Sequence, residues 1–127
     1  MERFLWICFG GACGTGARYL LSGLVLHRLG SGFPFGTLAV NVLGSFLIGV
    51  LMHVGLTMET IPPSLRLALG IGVLGGFTTF STFSYETVRL LEEGAFLLAL
   101  ANVATSLLGG LAACFLGLVT ARTLVGN

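Results

Sequence analysis

Between Leu65 and Leu90 an apolar segment is interrupted by Gly75-Gly76-Phe77-Thr78-Thr79-Phe80-Ser81-Thr82-Phe83-Ser84-Tyr85-Glu86, a glycine pair followed by clustered hydroxyls and spaced phenylalanines. A helix that faces only lipid has no use for that combination. In hydrocarbon every backbone N–H and C=O must find a partner, so a break at membrane depth persists only where protein covers it or where it lines a cavity. Discontinuous helices of this kind repeatedly mark ion sites.

The remainder of the chain supplies the membrane context. Hydrophobic residues make up 55% and charged residues only 9%, and the mean hydropathy is +1.01, whereas soluble domains carry about a quarter charged residues. Measured against the roughly 20 residues needed to span a bilayer, the apolar runs number four. They are Phe4 to Leu26, Phe35 to Leu56, Leu65 to Leu90 and Ala95 to Leu124. The turns between them gather most of the proline and many of the charges: Arg28 to Pro34, Glu59 to Ser64 and Glu92-Glu93-Gly94. The first run is too long for a signal-peptide core and lacks a small-residue cleavage site, so it reads as a retained helix. The expected fold is an all-α membrane protein, residues 1–127 forming a single unit of four transmembrane helices with a broken third helix. No motif for hydrolysis or group transfer is present, so an enzyme is not expected. A net charge of +1 gives no electrostatic case for nucleic acid.

Four crossings return both termini to one side. Arg3, Arg66 and Arg122 then lie near that face and Arg28 and Arg89 near the other, a bias of three against two. Because Lys and Arg in short loops set orientation, near balance permits insertion both ways and hence an antiparallel dimer; equally, a small difference can still fix one orientation. Small residues suited to close helix contact, Gly10 and Gly14, Gly72 and Gly76, Gly109 with Gly110 and Ala113, favour self-association.

Polar groups enter the membrane in rows. Thr37, Asn41 and Ser45 recur every four residues and stack on one helix face, and Asn102 and Ser106 repeat the pattern with Thr105 alongside. Such residues either line a path or bond across helices, and for Asn102 and Ser106 the two readings stand level. Asn41 favours the path, because its carboxamide offers two donors to a dehydrated anion and a carbonyl to a neighbouring donor. Phe80 and Phe83 share a face beside a row made by Thr79, Thr82 and Glu86. Aromatic rings are electropositive at the edge, so rings presented edge-on receive an anion without a full positive charge in the pore. At the glycines, either the backbone turns outward and frees carbonyls for a hard cation such as Na⁺, or a kink is healed by the Thr hydroxyls.

Other candidates are less informative. Cys8, Cys13 and Cys114 read as buried small hydrophobes without zinc spacing, and no disulfide is expected. His27 and His53 fall near segment ends. Gly11-Ala12-Cys13-Gly14-Thr15-Gly16 lacks the strand and βαβ context of a dinucleotide site. Arg18, well inside the first run, costs about 2.5 to 3.5 kcal/mol on insertion scales unless paired or hydrated. The favoured reading has it bond exposed carbonyls or reach the interface; the other has it attract anions at a vestibule.

Gly75 to Glu86, with Gly14-Thr15-Gly16-Ala17-Arg18-Tyr19 in the first helix, Thr37-Leu38-Ala39-Val40-Asn41-Val42-Leu43-Gly44-Ser45-Phe46 in the second and Asn102-Val103-Ala104-Thr105-Ser106 in the fourth, resembles the Fluc (CrcB) fluoride channels. The blocks occur in order over nearly the whole chain. The resemblance implies an antiparallel, dual-topology homodimer in the bacterial inner membrane, with two fluoride pores near the subunit interface and a central structural Na⁺. It further implies that Gly75 and Thr78 give backbone carbonyls to the Na⁺, that Asn41 donates to fluoride, and that Phe80 and Phe83 supply ring edges. Thr79, Ser81 and Thr82 then form the adjoining polar track, and Glu86 sits toward a pore end as a local hydrogen-bond partner. The chain departs from members that place a tyrosine of the fourth helix against the pore; here the nearby residues are Asn102, Val103, Ala104 and Thr105.

Fluoride fits the pattern physically. A path for this small, strongly hydrated ion must replace water donors without a cationic trap, and weak donors in series do so. The expected function is passive fluoride export that relieves toxicity. Two rivals are a small proton-coupled multidrug exporter, which needs a carboxylate in its cavity, and a non-transporting membrane assembly subunit, for which the glycines and asparagines are packing alone.

Overall fold

The computed structural model describes residues 1–127, all helical apart from short turns. Helix α1 (Glu2–Leu29) ends at Gly30, whose φ of 77° is open to glycine at little cost. Helix α2 (Phe35–Thr57) follows. The third segment, Pro63–Glu92, is assembled from pieces: α3 (Pro63–Leu67), a π-helical stretch (Ala68–Leu74), α4 (Gly75–Phe77) and α5 (Phe80–Glu92). Proline begins α3, a position whose N–H has no helical partner in any case. Glu93-Gly94 turns the chain into α6 (Phe96–Val125).

Three segments are long and apolar enough to cross a membrane: Phe35–Thr57, Pro63–Glu92 and Phe96–Val125. The expected fourth, α1, has the length, about 42 Å at 1.5 Å per residue. Arg18, Tyr19 and the Gly/Thr run before them dilute its apolar character, so it is not among the three.

The third helix is broken, but two residues later than the glycine pair suggests. Gly75 keeps helical angles (φ −62°, ψ −40°), and the extended residues are Thr78 (φ −89°, ψ 159°) and Thr79 (φ −152°, ψ 117°). β-Branched threonines are at ease in extended backbone. The glycines instead serve contact. A Cβ on Gly76 would meet the carbonyl of Gly11 at 2.6 Å, one on Gly72 the carbonyl of Ile7 at 2.8 Å, and one on Gly14 would overlap the carbonyl of Val73. Gly10 faces the Ala68 carbonyl in the same way. These four glycines, expected to serve self-association, therefore lock α1 against the third segment within one chain. Gly49 and Gly117 do the same between α2 and α6, beneath the carbonyls of Cys114 and Phe46.

Only 17 of 127 residues are buried, with Val40, Phe77 and a set of alanines at the centre. Leucines and phenylalanines cover the outside, as expected where the solvent is hydrocarbon. Cys8 and Cys13 are exposed on this surface rather than buried, because the inner face of α1 is taken by its glycines; Cys114 is half-buried.

Candidate functional site

The polar stripe of α2 meets the break. Asn41 donates from Nδ2 to the Thr79 carbonyl at 2.9 Å, and the Thr79 N–H donates to Asn41 Oδ1 at 2.8 Å. One carboxamide thus satisfies both backbone groups of an extended residue, as a neighbouring β-strand would. The Thr79 hydroxyl caps α5 by accepting from the Thr82 N–H at 3.2 Å, donates to Thr82 Oγ1 at 2.9 Å and lies 3.3 Å from Ser81 Oγ. Thr78 returns its hydroxyl to the Leu74 carbonyl at 3.0 Å, while its methyl fills the space left by Gly44.

These bonds redistribute the backbone donors. In an unbroken helix the Thr79 N–H goes to the Gly75 carbonyl and the Thr82 N–H to that of Thr78. Here the first goes to Asn41 and the second to the Thr79 hydroxyl. The carbonyls of Gly75 and Thr78 lose their helical partners. Both residues line an open hollow of about 330 Å³ with Asn41, Gly44, Ser45 and Phe80. Unpartnered carbonyl oxygens suit a hard cation. No group of three or more His, Cys, Asp or Glu side chains gathers to hold a metal ion.

Two further hollows continue the series, the second adjoining the first and the third adjoining the second. One, of about 250 Å³, is lined by Thr15, Arg18, Ser22, Thr37, Thr79 and Thr82. The other, of about 690 Å³, reaches the Gly30–Phe35 turn and Arg89 and includes Thr37, Thr82 and Glu86. Thr79 borders the first two; Thr37 and Thr82 border the second and third. Hydroxyls therefore stand at each junction of a hollow series along α5.

Phe80 and Phe83 are neighbours, ring centroids 5.6 Å apart and tilted by 46°. Phe80 is 79% exposed beside the first hollow, and Phe83 is half-buried. Glu86 accepts a hydrogen bond from the Thr37 hydroxyl, the local partner expected of it. Of the two structural roles expected of Arg18, the bond to exposed carbonyls is not formed, and the residue lines the middle hollow. Asn102 is joinery: 2% exposed, it donates to Thr87 Oγ1 at 2.9 Å. Thr105 bonds the Ala101 carbonyl of its own helix.

Sequence reasoning placed Asn41, Phe80, Phe83, Thr79, Ser81 and Thr82 at a pore and Gly75 and Thr78 at a Na⁺. In the structure hydrogen bonds join Asn41, Thr79 and Thr82, Ser81 lies beside Thr79, the two rings are neighbours, and Gly75 and Thr78 line the first hollow. Sequence reasoning missed Thr87, whose only sequence signal is its place one turn after Phe83, and the role of Asn41 in pairing the break, which requires knowing that α2 lies opposite it.

A bundle of long apolar helices with a broken segment and a series of polar hollows is the architecture of a multi-pass membrane protein. A family model described as "CrcB-like protein, Camphor Resistance (CrcB)" matches residues 5–118. A protein of Geobacter metallireducens is 57% identical over 98% of this chain and 100% of its own length, one of Geobacter sp. strain M21 52% identical over the same shares, and one of Sorangium cellulosum 52% identical over the full length of both. Each carries the name "Fluoride-specific ion channel FluC". The chain belongs to the CrcB family, a family of ion channels and not of enzymes.

Proposed function

We propose that this chain is a fluoride-selective channel of the bacterial inner membrane, exporting fluoride passively from the cytoplasm through two pores at an antiparallel homodimer interface, with α1 as the fourth crossing of a single transmembrane unit. The observation that carries the reading is the polar seam at Thr79, where Asn41, Ser81 and Thr82 converge beside an exposed Phe80. Asn41 holds Thr79 through one Nδ2 hydrogen and keeps a second for an anion. The hydroxyls of Thr79, Ser81 and Thr82 and the ring edges of Phe80 and Phe83 continue the series of weak donors, each strong enough to replace part of a hydration shell and too weak to trap the ion. Arg18 contributes positive potential from the middle hollow without bonding the protein.

A second copy would cover the exposed Phe80 and meet the Gly75 and Thr78 carbonyls freed at the break. Gly75 and Thr78 from both copies offer four oxygens to a structural Na⁺, which when bound supplies positive charge that pins the interface. Protein, lipid and fluoride are the partners required. A proton-coupled exporter is disfavoured because Glu86, which lines the third hollow, is already engaged by Thr37.

The test is efflux from liposomes loaded with fluoride or chloride. Fluoride loss without chloride loss, indifferent to a proton gradient, is expected. A proton-dependent flux supports the exporter, and no flux from a well-folded dimer supports the assembly subunit.

A further inference from the structure

One polar cluster, built around the buried Asn102 with half-buried Thr87 and Ser106, joins α5 to α6 outside the three hollows. Asn102 Nδ2 donates to Thr87 Oγ1 at 2.9 Å, the Thr87 hydroxyl donates to the Phe83 carbonyl at 2.8 Å, and Ser106 Oγ stands 3.5 Å from Asn102 Oδ1. Asn102 lines none of the three hollows. Helix α5 needs such a tie, because Leu90 is its one buried residue and apolar packing leaves its rotation weakly fixed. Adjacent residues supply the restraint from two sides: Glu86 to Thr37 of α2, and Thr87 to Asn102 of α6. Phe83 precedes them by three and four residues and so shares their face. The direction of its ring follows from the rotation that these bonds set.

We infer that Asn102 is a positioning residue for Phe83, acting through Thr87 to fix the ring on the ion path without touching the ion. The inference rests on the fluoride-channel reading for its effect on flux, but its structural half is independent of that reading. At 2% exposure Asn102 has no water to replace a lost partner, so an apolar residue at either end of the bond removes the restraint.

The experiment places 4-fluorophenylalanine at position 83, and in a control at position 77, and records the ¹⁹F resonance together with fluoride efflux from liposomes. Thr87→Val and Asn102→Leu are each expected to move the position-83 resonance, leave that at 77 in place, and slow efflux about threefold to tenfold, the worth of one hydrogen bond. The double variant should be no slower than the slower single, because both substitutions remove one bond. Thr87→Ser, which keeps the hydroxyl, should restore most of the native shift and rate. An unmoved position-83 resonance in Thr87→Val overturns the inference, as does slowed efflux in Asn102→Leu beside native behaviour in Thr87→Val, the pattern of a direct ion contact. Should Asn102→Leu fail to fold, Thr87→Val decides alone. Absence of fluoride flux in the native protein would sink the channel reading while the resonance arm still decides the positioning role.

Discussion

Thr79 is the residue on which the rest turns. Its backbone is paired by Asn41 and its hydroxyl organises Ser81 and Thr82, so the extended conformation leaves neither of its own backbone groups unpaired. The sequence indicates that Asn41 and these hydroxyls are special, since carboxamides and hydroxyls in apolar helices require partners. It does not indicate which partner each takes. Asn102 and Asn41 look alike as letters, yet one joins α5 to α6 and the other pairs the break. Glu86 belongs to the same scale. Thr37→Val removes its hydroxyl donor, and we expect fluoride efflux to slow about threefold to tenfold, consistent with the loss of one hydrogen bond. Unchanged efflux in that variant would show that Glu86 needs no anchor.

Among the elements, the third is the one whose outline was legible and whose detail was not. Hydroxyls and glycines inside an apolar run announce a break. Its position at Thr78-Thr79 depends on Asn41 being opposite, a tertiary fact. The glycines were ambiguous for the same reason: pattern alone does not distinguish a glycine that bends a helix from one that admits a neighbour's backbone. Gly14 and Gly16 separate the cases. A Cβ at Gly14 overlaps the Val73 carbonyl, whereas one at Gly16 meets nothing within 4 Å. Gly14→Ala is expected to destabilise the protein by about 1–3 kcal/mol through overpacking. Gly16→Ala, gaining helix propensity worth up to about 1 kcal/mol, should be neutral or better. Thermal unfolding in detergent compares the two, and equal losses would contradict the placement of α1 against the third segment.

At the scale of the whole molecule, the surface is mostly apolar and the centre small, so the single chain is a wall rather than an enclosure for a pathway. The near balance of arginines at the two ends was readable from sequence and bears on assembly, because it leaves orientation open. A lone cysteine substituted at Asn127, in a cysteine-free background, should be labelled by an impermeant reagent in part from each side of the membrane. Labelling from one side only would exclude an antiparallel pair. Replacing Na⁺ with a large organic cation should weaken the dimer in detergent, as judged by cross-linking, if the Gly75 and Thr78 carbonyls share an ion.

The most direct test of the seam as a fluoride path is efflux through Asn41→Asp. Aspartate can still accept from the Thr79 N–H but presents an acceptor to the Thr79 carbonyl and a negative charge to the path. In liposomes holding an intact dimer, fluoride efflux should fall by at least about tenfold, the cost of losing a bond while burying an unpaired group. Native-rate, fluoride-selective efflux through a well-folded Asn41→Asp dimer would contradict the account.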